Sequence, residues 1–229
     1  MKKHGEELIY AGAWVLVIGT TISALGQTKE IAMGNPNGSK WVAQGNAIQA
    51  IGNGLQGQGN IELFLEEKES FQMDNIIGAW LLVGGNITDI VATEIEIHTS
   101  KEVGLRLNAL GSGFQGLGAA YEAVGAAEGI SPTKNLEVTG NSLFALGAFL
   151  DAAGSVFVLN KMDTPGERLS LIGSWVQVVG ACVEVFALSI TSDTNITPQK
   201  KGGEADMGYY WYVPNTVLLK RIKMVPLYH

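Results

Sequence analysis

Three carboxylates stand alone in otherwise apolar runs of this chain. They are Asp89 in "GNITDIVAT", Asp151 in "FALGAFLDAAG" and Glu184 in "VVGACVEVF". A carboxylate in apolar surroundings is common material for general acid–base chemistry. These three, however, hold one place in a repeat whose other copies carry Ser23, Gln56 and Gln115. Six diluted copies of a position do not make a catalytic pair, so solvated or hydrogen-bonded polar sites are expected. The remaining inventory is thin. His4, His98 and His229 lack metal-ligand spacing. Cys182 is the only cysteine, which excludes an internal disulfide, and its apolar run reads as a packed small hydrophobe. No motif pairs a nucleophile with a base. No catalytic residue, cofactor-binding residue or metal ligand is therefore assigned, no cofactor is expected, and the protein is expected not to be an enzyme.

Composition narrows the class further. Of 229 residues, 46% are hydrophobic and 16% charged, which opposes wholesale disorder. A formal charge of −7 with only short basic clusters opposes nucleic-acid binding. The N-terminus, "MKKHGEELIYAGAWVLVIGTTISALGQ", imitates a secretory signal. Glu6 and Glu7 interrupt its basic region and it forms the first copy of the repeat, so no cleavage is expected.

What must position these residues is a repeated helix. Glycine pairs seven residues apart occur at Gly12/Gly19, Gly45/Gly52, Gly78/Gly85, Gly104/Gly111, Gly140/Gly147 and Gly173/Gly180. A third small residue follows after another seven: Gly26, Gly59, Ala92, Gly118, Gly154 and Ala187. Three residues after the first glycine come Val15, Ile48, Leu81, Leu107, Leu143 and Val176. Just before the second come Ile18, Ile51, Gly84, Leu110, Leu146 and Val179, and four after it comes the polar position already described. Each residue class holds its own heptad place, which is a helical period. A spacing of seven keeps the small residues on one stripe that drifts only about 20° per heptad. Sixteen stripe glycines could cost on the order of 16 kcal/mol relative to alanine, so a compensating contact is required. Helix axes closer than the usual distance of about 8–10 Å would supply it. The stripe is thus read as a helix-packing surface.

Six helices are predicted near 6–30, 39–66, 74–98, 101–128, 136–160 and 166–191. Thr164 and Ser131 are expected N-caps, with Pro165 and Pro132 following them, and Thr99 or Ser100 is expected to cap the fourth helix. Short connections imply an all-α array of antiparallel neighbours, closed as a bundle or stacked as a short solenoid. Trp14, Trp80 and Trp175 recur two residues after a stripe glycine, where a structural layer is a simpler reading than a ligand cage. Residues 1–191 therefore read as one glycine-repeat domain, 192–208 as a polar linker and 209–229 as an aromatic, β-prone, extended tail. Tyr209, Tyr210, Trp211 and Tyr212 in that tail must pack on the chain's own helices, a neighbouring subunit or a membrane interface.

The lines "NAIQAIGNGLQGQG", "LNALGSGFQGLG" and "LIGSWVQVVG" resemble an uncharacterised family of glycine-rich repetitive proteins from spore-forming, Bacillus-like bacteria. The resemblance spans roughly residues 8–190. It implies a bacterial, spore-associated setting, or release on lysis after cytoplasmic synthesis, and supplies no functional residues. The leading expectation is a non-enzymatic structural protein that self-assembles into a filament or matrix, with itself as partner. The first helix is uncharged over nineteen residues, "LIYAGAWVLVIGTTISALG", and a neighbour could cover it. The second expectation is a membrane-embedded or membrane-active glycine-zipper protein. The Asn- and Gln-rich second unit and the intrahelical carboxylates speak against it. A ligand- or partner-binding helical module, with grooves between the Trp-bearing helices, is the third.

Overall fold

The computed structural model describes residues 2–196. They form six long helices: α1 (Lys2–Gln27), α2 (Gly38–Glu67), α3 (Phe71–His98), α4 (Lys101–Glu128), α5 (Lys134–Leu159) and α6 (Asp163–Ile196). A π-helical turn, Thr28–Ala32, extends α1, and there is no strand among the described residues. α6 runs past the expected boundary at 191. The rest of the linker and the tail with Tyr209, Tyr210, Trp211 and Tyr212 lie outside the described residues.

Helix ends follow local chemistry. Ser100 caps α4, its hydroxyl accepting from the Val103 N–H at 3.4 Å. α5 begins at Lys134, later than Pro132 suggests, because the hydroxyls of Ser131 and Thr133 both reach Glu137, at 2.6 and 2.7 Å. α6 begins at Asp163, so Thr164 is a helical residue and not the cap. Gly34, at φ +62°, turns the chain between α1 and α2 in a conformation suited to glycine.

Each helix packs against the one before and the one after it, and α1 also packs against α6. The array is a closed ring, and the solenoid alternative is corrected accordingly. Three hairpins make the tightest contacts. Along α1 and α2, Gly5 faces Gly59, Gly12 faces Gly52, Gly19 faces Gly45 and Gly26 faces Gly38. α3 and α4 match Gly78 with Gly118 and Gly85 with Gly111, while Gly104 meets the Ala92 carbonyl. α5 and α6 match Gly140 with Gly180, Gly147 with Gly173 and Gly154 with Gly166. A Cβ on Gly12 would lie 2.5 Å from the Gly52 carbonyl oxygen, and one on Gly147 equally near that of Gly173. Only a bare Cα leaves room for backbone to meet backbone there. Gly5, Gly38, Gly125 and Gly166 extend the stripe beyond the residues singled out by spacing.

Between hairpins the contacts differ. Gly57 lies against Ala79 and Trp80, and the Phe149 ring covers Gly116. The ring closes where the Trp175 indole N–H donates to Thr28 Oγ1 (3.1 Å) and Tyr10 meets Ser189 (3.3 Å).

Candidate functional site

The ring is polar inside and apolar outside. Its buried residues include Gln49, Asn53, Gln56, Asn86, Asp89 and Ser112, all at most 3% exposed. Its exposed residues include Ile18, Ile51, Ile87, Leu110, Leu146 and Val179. Trp14, Trp80 and Trp175, 40–49% exposed, point outward from three helices and form neither a cage nor a buried layer. Cys182 is exposed too, which corrects its reading as a packed hydrophobe. Heptad geometry explains the arrangement. With the glycine stripe facing the hairpin partner, the residue before the second glycine projects outward and the polar position four after it projects inward.

All six polar positions, Ser23, Gln56, Asp89, Gln115, Asp151 and Glu184, are buried. Each of them makes a side-chain hydrogen bond inside the ring. Asp89 Oδ2 accepts from Gln115 Nε2 (2.6 Å) and lies 3.3 Å from Ser112 Oγ. Ser112 Oγ is also 3.0 Å from Asp151 Oδ2. A hydroxyl has one hydrogen, so both contacts are hydrogen bonds at once only when one carboxyl itself holds a proton. Asp151 further accepts from Gln27 Nε2 (3.4 Å), and Glu184 from Gln56 Nε2 (2.5 Å). These last two bonds reach across the interior between helices that are not neighbours in the ring. Asp89 and Asp151 thus form one cluster with Ser112, while Glu184 belongs to another region with Glu122.

Two cavities occupy the ring axis. One, of about 180 Å³, is lined by Gln56, Asn60, Glu122, Asn141 and Glu184, and by Ile9, Asn75 and Glu137 at its mouth. The other, of about 370 Å³, is lined by Gln27, Asn108, Asp151 and Ser155, and nearer its mouth by Glu30, Glu96, Lys101 and Glu167. Between them Leu16, Leu82 and Phe144 join Ala119, Ala145 and Ala181 in one apolar cluster. The order along each odd helix places it there. In α1, Ile9 lines the first cavity and Gln27 the second, with Leu16 between; α3 repeats this with Asn75, Leu82 and Thr93, and α5 with Asn141, Phe144 and Asp151.

Several buried amides have no protein hydrogen-bond partner for a polar atom: Gln27 Oε1, Gln49 Oε1, Asn53 Oδ1 and Nδ2, Gln56 Oε1 and Asn86 Oδ1. Asp89 Oδ1 joins them. Leaving such groups unmet costs about 1–3 kcal/mol each, so the interior suits water or an ion. Sequence reasoning missed Asn53, Asn86 and Ser112. Their signal was available: each directly follows the second glycine of its unit, where Thr20, Ala148 and Ala181 are likewise small or polar. Glu122 was missed because it lies one heptad beyond Gln115.

Exposed charge is confined to the two rims. Residues 8–28, 41–61, 75–93, 107–127, 138–160 and 169–192 contain no Lys or Arg, and their only carboxylates are Asp89, Glu122, Asp151 and Glu184. All four are buried. At one rim His4 Nδ1 lies 2.8 Å from Glu62 Oε2, a bond that holds the Glu62 carboxyl below its ordinary range. At the other, Lys29 Nζ sits 4.5 Å from the centre of the Trp41 ring. Among the described residues no group of His, Cys, Asp and Glu is arranged to hold a metal ion.

Residues 7–185 match the model of a family described as a family of unknown function, DUF6944. No curated protein and no solved structure matches the chain.

Proposed function

We propose that this chain, which belongs to the DUF6944 family of unknown function, is an integral membrane protein: a glycine-zipped helical ring with a hydrated polar interior. The observation that carries this reading is the inverted polarity of the ring. Large apolar side chains surround it on the outside, while amides and carboxylates lie inside, on either side of the Leu16, Leu82 and Phe144 cluster. In water such an exterior would be an association liability. In lipid it is the matching surface.

Dimensions support the same reading. The six stretches without Lys or Arg, whose only carboxylates are the four buried ones, are each about 28–36 Å long at 1.5 Å per residue, close to the roughly 30 Å of a bilayer's hydrocarbon core. α1, α3, α5 and α6 are long and apolar enough to cross a membrane on length and composition alone. α2 falls short because it supplies much of the lining, with Asn46, Gln49, Asn53, Gln56 and Asn60 all buried. The objections raised by the sequence therefore lose force. Intramembrane carboxylates are tolerated when they face a bundle interior and find partners, as Asp89, Asp151 and Glu184 do. Glycine stripes suit helix association in lipid, where close backbone approach takes the place of the hydrophobic effect. Open array ends were one support of the filament reading, beside the tail, and α1 packing against α6 closes the described helices into a ring.

Membrane fractionation tests the proposal. The expressed chain should sediment with membranes, resist extraction at alkaline pH and require detergent for solubility. Recovery as a detergent-free soluble monomer would refute it.

A further inference from the structure

We propose that the ring axis is a path for small monovalent cations, closed in this conformation by Leu16, Leu82 and Phe144. The inference rests on the membrane reading above and adds the permeating class and the position of the barrier.

The interior chemistry selects for positive charge. Among the described residues, eight buried side-chain polar atoms lack a protein partner, and seven of them are oxygens. Carbonyl and carboxylate oxygens are the ligands of hard cations and replace a hydration shell in selective pores. Each cavity holds buried carboxylates, Glu122 and Glu184 in one and Asp151 in the other. No Lys, Arg or His is among the buried described residues, and the one basic residue on a cavity wall, Lys101 of the second cavity, stands near its mouth beside Glu30, Glu96 and Glu167. Three of the unpartnered oxygens belong to residues that line the cavities themselves: those of Gln56 and Gln72 in one and that of Gln27 in the other.

The barrier is equally specific. Leu16, Leu82 and Phe144 are 1–3% exposed and come from the three parallel helices α1, α3 and α5. An apolar constriction between wetted vestibules blocks ions by excluding water. A polar side chain at that level should let water and ions through.

The test uses the full chain in phosphatidylcholine–phosphatidylglycerol vesicles, with potassium as the probe and chloride as the comparison. Density flotation first establishes insertion, and circular dichroism confirms retained helix for each variant. Leu82→Asn should raise potassium flux about tenfold or more over wild type, with chloride flux lagging well behind. Leu16→Asn, on a different helix, is the second variant and should act in the same direction. Adding Asp151→Asn to Leu82→Asn should lower the potassium preference. Protein that floats with the vesicles, retains its helix and shows no rise in potassium flux in either variant would overturn the path while leaving the membrane reading intact. Any flux, in wild type or variant, that favours chloride would do the same. Failure to float with the vesicles would overturn both.

Discussion

Gly84 and Gly85 are adjacent in α3 and should respond to alanine in opposite ways. A Cβ on Gly84 meets nothing within 4 Å. One on Gly85 would stand 2.6 Å from the Gly111 carbonyl oxygen and 2.9 Å from the Gln115 backbone nitrogen. Ordinary contact begins near 3.4 Å, so α3 and α4 must separate by roughly 0.8 Å to admit it. A gap of about 0.5–1 Å forfeits a quarter to a half of each dispersion contact along the seam. Overpacking of this kind costs about 1–3 kcal/mol. Both substitutions gain about 1 kcal/mol of helix propensity, so that part cancels in the comparison. Gly84→Ala should therefore exceed Gly85→Ala in stability by about 1–3 kcal/mol, or about 2–12 °C in Tm at about 2–4 °C per kcal/mol. Thermal melts of the two variants in one detergent read the difference. Equal shifts, or a Gly85→Ala variant as stable as Gly84→Ala, would refute close backbone approach as the reason for the stripe.

Other predictions follow the same geometry. Gly52→Leu should prevent folding or assembly, since even a Cβ there lies 2.8 Å from the Gly12 carbonyl oxygen, whereas Lys40→Leu on the exposed rim should fold normally; yield and monodispersity in detergent read both. Ser112→Ala should leave the buried carboxylates of Asp89 and Asp151 a donor short and lower stability by about 1–3 kcal/mol. Ser142→Ala, at an exposed position, should shift it by less than about 0.5 kcal/mol; paired melts compare them. Ile87→Asp, on the outer face at 51% exposure, should reduce membrane insertion by about 2.5–3.5 kcal/mol. A glycosylation-tag insertion assay measures that shift, and the same change on a water-facing surface would alter stability by no more than about 0.5 kcal/mol.

Much of the fold was legible because heptad spacing is a strong signal. The six helices, their antiparallel order and the separate places of small, apolar and polar residues all follow from the repeat. The facing directions did not. Periodicity shows that Ile18 and Ser23 lie on different faces, but not which of them is inside. Applying the rule for proteins in water, with apolar residues buried, assigned Cys182 and the Trp positions to packed layers and left open whether Asp89, Asp151 and Glu184 are solvated or hydrogen-bonded. The deciding facts were non-local. α1 meets α6, which makes the array a ring, and Ser112 brings Asp89 and Asp151 together from separate repeats. No spacing within one unit encodes either contact.

Cys182, the chain's only cysteine, sits exposed on the outer face of α6, between Trp175 and Phe186. It offers the most direct test of lipid contact. In membranes, Cys182 should resist a charged, water-soluble maleimide and should react with it once the protein is unfolded in denaturing detergent, where water reaches the thiol and lets it ionise. Rapid labelling by the water-soluble reagent in intact membranes would place that face in water and contradict the account.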